Sequence, residues 1–557
     1  MSEPTVPQVN KKVGHFRQIL LWPLQLMPIR EGALIQKHCE LLERPDADNP
    51  WCELADEFTG DPNLFQERHY SEFVTFLPYV QRFLFGEGKG SSPDIVQESS
   101  LRVFRRSDVA KVRITYPDPR ATPITFEVAH VDLYFFYDID VVILTVEIYA
   151  DDLSLPRAQD TLFRFGRVYP TYWEPEGRGG HCPKHVEWLS SDGTVLAVSD
   201  YEKREKYLSF VCRYRAPCIA SHWEWLLEPL VLHHSGKKGL IRYRQIEYHL
   251  MPLMSYLVVD DPGALTRADF VRLGLAASPG TPESLPYSER HLSDFEERYC
   301  YDRYWNEQDR DRPGTRFMCS GRVFTMVGDR SPRVFVDRKT DLEQFRHEYF
   351  LLFLIPHFLR AALLMLEARL VDAMNRLDIS KPESVRQFRR VIRQTLGIFL
   401  RFTQRYWFHE VSDHTQAKEL FRMISEHLGT TRLYGEVRTA IEDMNQYLDS
   451  DALRRQGETM VRLTVVTTVG LIGVMATGVL GMNLFAEAES STLTKIVYFL
   501  LVLIPSTAIT IYTVLKSRRL ADFLETMADE RRSSRDKLAA FVNVWKSKQD
   551  QVQDKRP

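Results

Sequence analysis

The chain has 557 residues, a formal net charge of −3 and 26% charged residues. That length suggests more than one folded unit, and the balanced charge lacks the clustered basic excess of a nucleic-acid surface, so no nucleic-acid partner is expected. The 7 cysteines are odd in number and irregularly spaced, which is unlike a disulfide framework and fits thiols facing a reducing cytosol.

Residues 1–340 read as a cytosolic α/β domain. The start, "MSEPTVPQVNKKVGHF", lacks the basic-then-apolar pattern of a signal peptide. "GEGKGSS" at Gly86 to Ser92 has neither the spacing nor the following residues of a phosphate-binding Walker motif and reads as a flexible turn. From Ile124 to Ala150, two β-rich apolar runs flank Asp138-Ile139-Asp140, the pattern of a hairpin within a sheet. The glycine-rich loop holds His181, Cys182 and His185, soft ligands for Zn²⁺, although a structural site needs a fourth ligand that the sequence does not nominate. His233 and His234 read as surface or core histidines. A strand or pair of strands is expected in "LIRYRQIEYHLMPLMSYLVV" from Leu240. No Ser/His/Asp or Cys/His set is identifiable, so neither an enzyme nor a resident cofactor is expected.

Residues 341–429 read as a cytosolic helical segment, with breaks at Lys381-Pro382 and Gly429. Its run from Phe350 to Leu366 approaches the length of a membrane span, but holds Pro356, His357 and Arg360. A mid-membrane arginine costs roughly 2.5 to 3.5 kcal/mol on insertion scales, which favours a buried helix. Residues 430–462 form a stalk helix whose Leu433, Val437, Ile441, Met444 and Leu448 fall at helical spacing. It runs without a proline into residues 463–483, an uncharged first transmembrane helix. A helix of such length needs a partner along it, and an oligomeric bundle is the simplest.

An external loop, 484–495, carries Glu487 and Glu489, and a second transmembrane helix follows over 496–515. Arg454, Arg455 and Arg462 before the first span, and Lys516, Arg518 and Arg519 after the second, place both termini in the cytoplasm by the positive-inside rule. Residues 516–557 form a cytosolic helical tail, with Leu538, Phe541, Val542 and Trp545 on one amphipathic face. The expected location is the plasma membrane, of bacterial inner-membrane type, with the lipid bilayer as partner.

Two spans per chain cannot enclose a water-filled path, so transport requires several chains around an axis. Met460, Leu463, Thr467, Leu471, Val474 and Gly478 recur at steps of three and four and form one stripe. Facing an axis, that stripe would make an apolar tube that gates by dewetting; periodicity alone equally fits a lipid or packing face. Gly481 lets the backbone leave helical geometry, and Asn483 then offers a neutral carbonyl oxygen at the far mouth. A ring of such oxygens suits a hydrated ion, above all Mg²⁺, which dehydrates reluctantly. Glu487 and Glu489 would concentrate cations at that entrance.

Gly481-Met482-Asn483, closing the first of two C-terminal spans behind a long helix and an α/β part, resembles the signature of the CorA superfamily of divalent-cation channels and transporters. The resemblance covers roughly residues 432–520. It implies a homopentamer with Asn483 in the selectivity ring and Met460, Leu463, Leu471 and Val474 at pore constrictions. The chain departs from the family pattern at Leu480, where a tyrosine is common, and in its long tail. It departs also in the basic bias of Arg386, Arg389, Arg390, Arg393, Arg401 and Arg405, so the family's regulatory metal sites are not carried over. Two readings follow: a divalent-cation transporter, for Mg²⁺ first and Zn²⁺ or another transition metal as the alternative, or a membrane-anchored regulatory protein that keeps the scaffold without conducting.

Overall fold

The computed structural model describes residues 11–29, 37–43, 49–54, 67–86, 100–118, 122–239, 241–246, 249–280, 285–306, 314–329, 341–481 and 491–494, with scattered positions between 496 and 512. The chain divides into two compact units, Met1–Ile441 and Glu442–Pro557.

The first unit is organised on one mixed sheet. Its strands are β1 (Lys12–Leu26), β2 (Trp51–Glu53), β3 (Leu101–Arg106), β4 (Lys111–Thr115), β5 (Ile124–Phe136), β6 (Val141–Ser154), β7 (His185–Leu189), β8 (Val195–Val198), β9 (Val231–Leu232), β10 (Arg242–Gln245), β11 (Leu253–Val259), β12 (Cys300–Tyr301), β13 (Arg316–Cys319) and β14 (Val323–Gly328). The main path runs β12-β13-β14-β11-β1-β6-β5-β4-β7-β8. β5 and β6 pair antiparallel around the Asp138–Asp140 turn, as the two apolar runs predict.

β1 lies at the centre and is buried along almost its whole length. One edge pairs with β6 from Lys12 to Gln25. The other pairs with β11 as far as Leu20 and with β10 from Leu24 onward. Pro23 therefore falls in the gap between the two partners, where its missing N–H costs no ladder bond on that edge. Where a strand or pair of strands is expected after Leu240, a pair is present, β10 and β11, and each pairs with β1.

Strands buried on both faces need a covering layer. Part of it is the apolar helix Phe350–Asn375, which packs against β1 and β6 and also against the helices Pro382–Arg405 and Thr415–Leu428. Together with the turns that precede it, this is the only helix among the described residues that passes a length-and-composition test for crossing a membrane, and 89% of its most apolar stretch is buried inside the protein. Arg360 is accommodated there by donating to the carbonyl of Leu428. Gly429 ends the Thr415–Leu428 helix in the left-handed conformation, φ 66°, the cap geometry that glycine favours.

A helix of 52 residues, Thr430–Gly481, follows. Leu433, Val437 and Ile441 are buried in the first unit, and Leu448 is buried as well.

Candidate ion-conducting segment

In the second unit the helix buries Val465 but exposes several other apolar residues. Met460, Leu463 and Val474 are 65%, 64% and 70% exposed, and Thr467 and Gly478 are exposed beside them. At 100° per residue these five positions and Leu471 share one narrow face. Leu471 lies within the helix, but its side chain is outside the described residues. Apart from the helix's own backbone and the adjacent residues, no heavy atom of the described residues lies within 4 Å of where a side chain on Gly478 or Gly481 would begin.

The threonines of this segment do not make the face hydrophilic. Thr467 Oγ1 donates to the Leu463 carbonyl at 2.8 Å, Thr464 Oγ1 to Met460 at 2.9 Å and Thr468 Oγ1 to Thr464 at 2.8 Å. Each hydroxyl proton is satisfied by its own helix, which suits an apolar setting. Leu493, Ile496, Leu501 and Ile504 are also exposed apolar positions. Gly481 is the last residue of the helix, whereas Met482, Asn483, Glu487 and Glu489 lie outside the described residues.

The expected metal ligands are not gathered. His181 sits in the left-handed region at φ 62°, its ring against Phe163 and Tyr172. Cys182 is buried, and burial pushes its thiol up to about 12. His185 belongs to β7, with Nε2 3.4 Å from Glu187. No group of three or more His, Cys, Asp or Glu able to hold a metal ion occurs among the described residues.

Comparison with protein-family models, with curated proteins and with solved structures gives no match.

A buried charged cluster is the feature of the first unit that sequence reasoning missed. Glu147 on β6 accepts from Arg17 on β1 and, at 2.8 Å, from Arg346. Arg346 comes from a π turn, Phe345–Tyr349, and its Nη2 lies 3.0 Å from His130 Nε2. Burial alone would raise the Glu147 carboxyl, but Arg346 and Arg17 outweigh it and hold it below the usual carboxylate range. His130 is lowered by burial. Arg105 clamps Asp132 through two bonds of 2.7 and 2.8 Å on the adjoining strands.

The acidic hairpin turn meets the basic helices in the same unit. Asp140 accepts from Arg369, and Asp138 faces Arg401 and Arg405 at 3.6 Å each. Part of the arginine bias noted in the sequence is thus a response to the turn. A cleft of about 420 Å³, lined by Trp407, His409, Arg422, Glu426 and Arg432 among others, lies between the helical elements.

Proposed function

We propose that the chain is one subunit of an oligomeric, CorA-like channel or transporter for divalent cations, with Mg²⁺ as the first candidate cargo and Zn²⁺ or another transition metal as the alternative. The observation that carries this reading is the exposed apolar face of Met460, Leu463 and Val474, which in the sequence runs on to Gly481-Met482-Asn483. A stripe of this kind is stabilised by lipid or by other copies of itself, and several copies around an axis would form an apolar constriction that opens by wetting. Asn483 would then offer its carbonyl oxygen to the waters of a hydrated ion, in keeping with the reluctance of Mg²⁺ to lose them.

Two charges per ion draw about 4.6 kcal/mol from each 100 mV of membrane potential, so uptake in this scheme needs no nucleotide. The expected setting is a bilayer crossed twice, with both termini cytoplasmic. The deciding experiment is flux: the purified protein in liposomes, under an imposed potential, is tested with Mg²⁺, Co²⁺, Ni²⁺ and Zn²⁺. Uptake above protein-free liposomes supports the reading and identifies the cargo. An assembled, correctly inserted oligomer that passes none of these ions returns the alternative, a membrane-anchored regulatory protein.

A further inference from the structure

The loop around His181 and Cys182 attracts notice for its soft ligands, but its surroundings have the wrong sign for a cation. The helix Leu155–Arg164 ends beside it. Gly166 then takes φ 96°, where a β-carbon would stand 2.8 Å from Leu20, and the chain turns to pair Arg167 with Leu250 in an isolated bridge. The amide of Val168 donates to the carbonyl of His249 at 2.7 Å, fixing that neighbour.

These connections converge on the ring of Phe163. The guanidinium carbon of Arg167 is 4.7 Å from its centroid and that of Arg164 is 5.4 Å away, while the His181 ring centroid is at 5.3 Å. The tight turn beneath is enforced by Tyr172, since a β-carbon on Gly180 would lie 2.5 Å from its ring. The left-handed backbone of His181 is a conformation that non-glycine residues seldom adopt and that tends to persist at functional sites.

One of the two arginine charges at this point, that of Arg167, has no carboxylate partner among the described residues. Arg164 is paired with Asp160 at 2.6 Å and donates to the Cys182 carbonyl at 3.3 Å. Arg167 is only 5% exposed. Its Nε donates to the Phe163 carbonyl at 3.2 Å, and no carboxylate among the described residues is paired with it. Burial, together with Arg322 and Arg164, lowers Arg167 to about 10. His249 is lowered in the same way by burial and by the positive charges of Arg167 and Arg322. A buried guanidinium without a counter-charge is costly, and the planar fork of arginine matches the oxygens of a phosphate.

We propose that Arg167, Arg164 and His181 form a binding site for a phosphate group, either inorganic phosphate or the phosphate of a nucleotide, with Arg167 as the floor and the exposed His181 as the rim. The anion supplies the charge that Arg167 lacks. The cluster is therefore an anion site where the sequence suggests a zinc site. It is independent of ion conduction and stands whether or not the chain transports cations.

The test uses the full-length protein in detergent at fixed ionic strength. Calorimetric titration and thermal unfolding are run with inorganic phosphate and with AMP, against sodium chloride. Binding should stabilise the wild type, and a preference for AMP over phosphate would identify the nucleotide source. Arg167→Gln should weaken binding by about tenfold or more, as expected for loss of a charge-assisted pair. Arg167→Met should raise the anion-free unfolding temperature while removing the phosphate response, an outcome that a purely structural arginine would not give. His181→Asn, at an exposed position where asparagine tolerates the left-handed backbone, keeps the fold and should weaken binding several-fold. Absence of any phosphate or AMP response in the folded wild type overturns the proposal. So does binding that survives unchanged in both Arg167→Gln and His181→Asn.

Discussion

Arg405 on the Pro382–Arg405 helix stands 3.6 Å from the carboxylate of Asp138, at the tip of the β5–β6 hairpin. The pair ties the sheet to its helical cover across most of the first unit's sequence, and Arg401 reinforces it from the same helix. Asp138 has φ 65°, a conformation that asparagine also tolerates. Asp138→Asn therefore removes charge without changing backbone preference. With both arginines partly solvated, the expected loss is about 1 to 2 kcal/mol, below that of a fully buried pair. Asp138→Ala should lose more, because alanine resists this backbone region. Chemical denaturation of the two variants reads the difference; equal stability to wild type would mean that the turn is held by packing alone.

Glu147 is a stronger case, since it neutralises Arg17 and Arg346 in a buried setting. Glu147→Gln leaves two guanidiniums without their carboxylate and should cost about 3 to 5 kcal/mol. The pH dependence has a definite sign. Its folded pKa lies below the ordinary 4.5, so its stabilisation is complete above the unfolded value and is lost as pH falls through the folded one. Between pH 5 and pH 3 the wild type should lose stability faster than Glu147→Gln, as measured by denaturant midpoint.

The hairpin around Asp138–Asp140 was legible in the sequence because two apolar β-rich runs flank a short acidic turn. The helices after residue 341 were legible because Pro382 and Gly429 punctuate them. β1 was not, although it is the central strand. Arg17, Gln18, Pro23 and Gln25 interrupt its apolar pattern, and the partner that makes Arg17 acceptable, Glu147, lies 130 residues away. Local sequence carries no sign of that pairing. The arginine cluster around Phe163 was hidden for a similar reason, since Phe163 and His181 meet only through the fold. In the Met460 to Gly478 stripe the period was readable but its direction was not, because a face toward lipid and a face toward an axis repeat identically.

His222 offers a second pH-dependent element. It is fully buried beneath Trp223 and Tyr201, and burial lowers it to about 3. The folded state keeps this imidazole neutral, whereas the unfolded chain protonates it near 6.5. Stability should therefore fall as pH drops from 6.5 toward 3, by up to about 1.4 kcal/mol per pH unit from this one group. Asp200, Lys206 and His185 contribute smaller charge effects at the same position. Comparing the slope of stability against pH for wild type and His222→Gln isolates the term, and coincident slopes would show that His222 reaches water.

If the apolar stripe is covered by other copies, the solubilised protein should be an oligomer, with a pentamer as the expected state. The contacts would run along the Thr430–Gly481 helix, where Met460 and Leu463 stand exposed in the single chain. Native mass spectrometry in mild detergent reads the number of chains. A mass corresponding to one or two chains would sink the assembly and, with it, a pore built from two apolar segments per subunit.

Selectivity and gating should then be separable by mutation. If Asn483 rings the mouth of the pore as proposed, Asn483→Ala would remove acceptors that bulk water cannot preorganise, so divalent uptake should collapse while the oligomer survives. Leu463→Ser acts at the other end of the stripe, where a hydroxyl lowers the barrier to wetting an apolar constriction and should leave the channel leaky. The hydroxyl can fold back onto the carbonyl four residues earlier, as Thr467 already does with Leu463, so the substitution is tolerated by the helix itself. Liposome flux at equal protein abundance tests both variants. Wild-type flux in Asn483→Ala would remove the tripeptide from the mechanism. An unchanged resting leak in Leu463→Ser would turn the stripe toward lipid and leave the ring of asparagines standing.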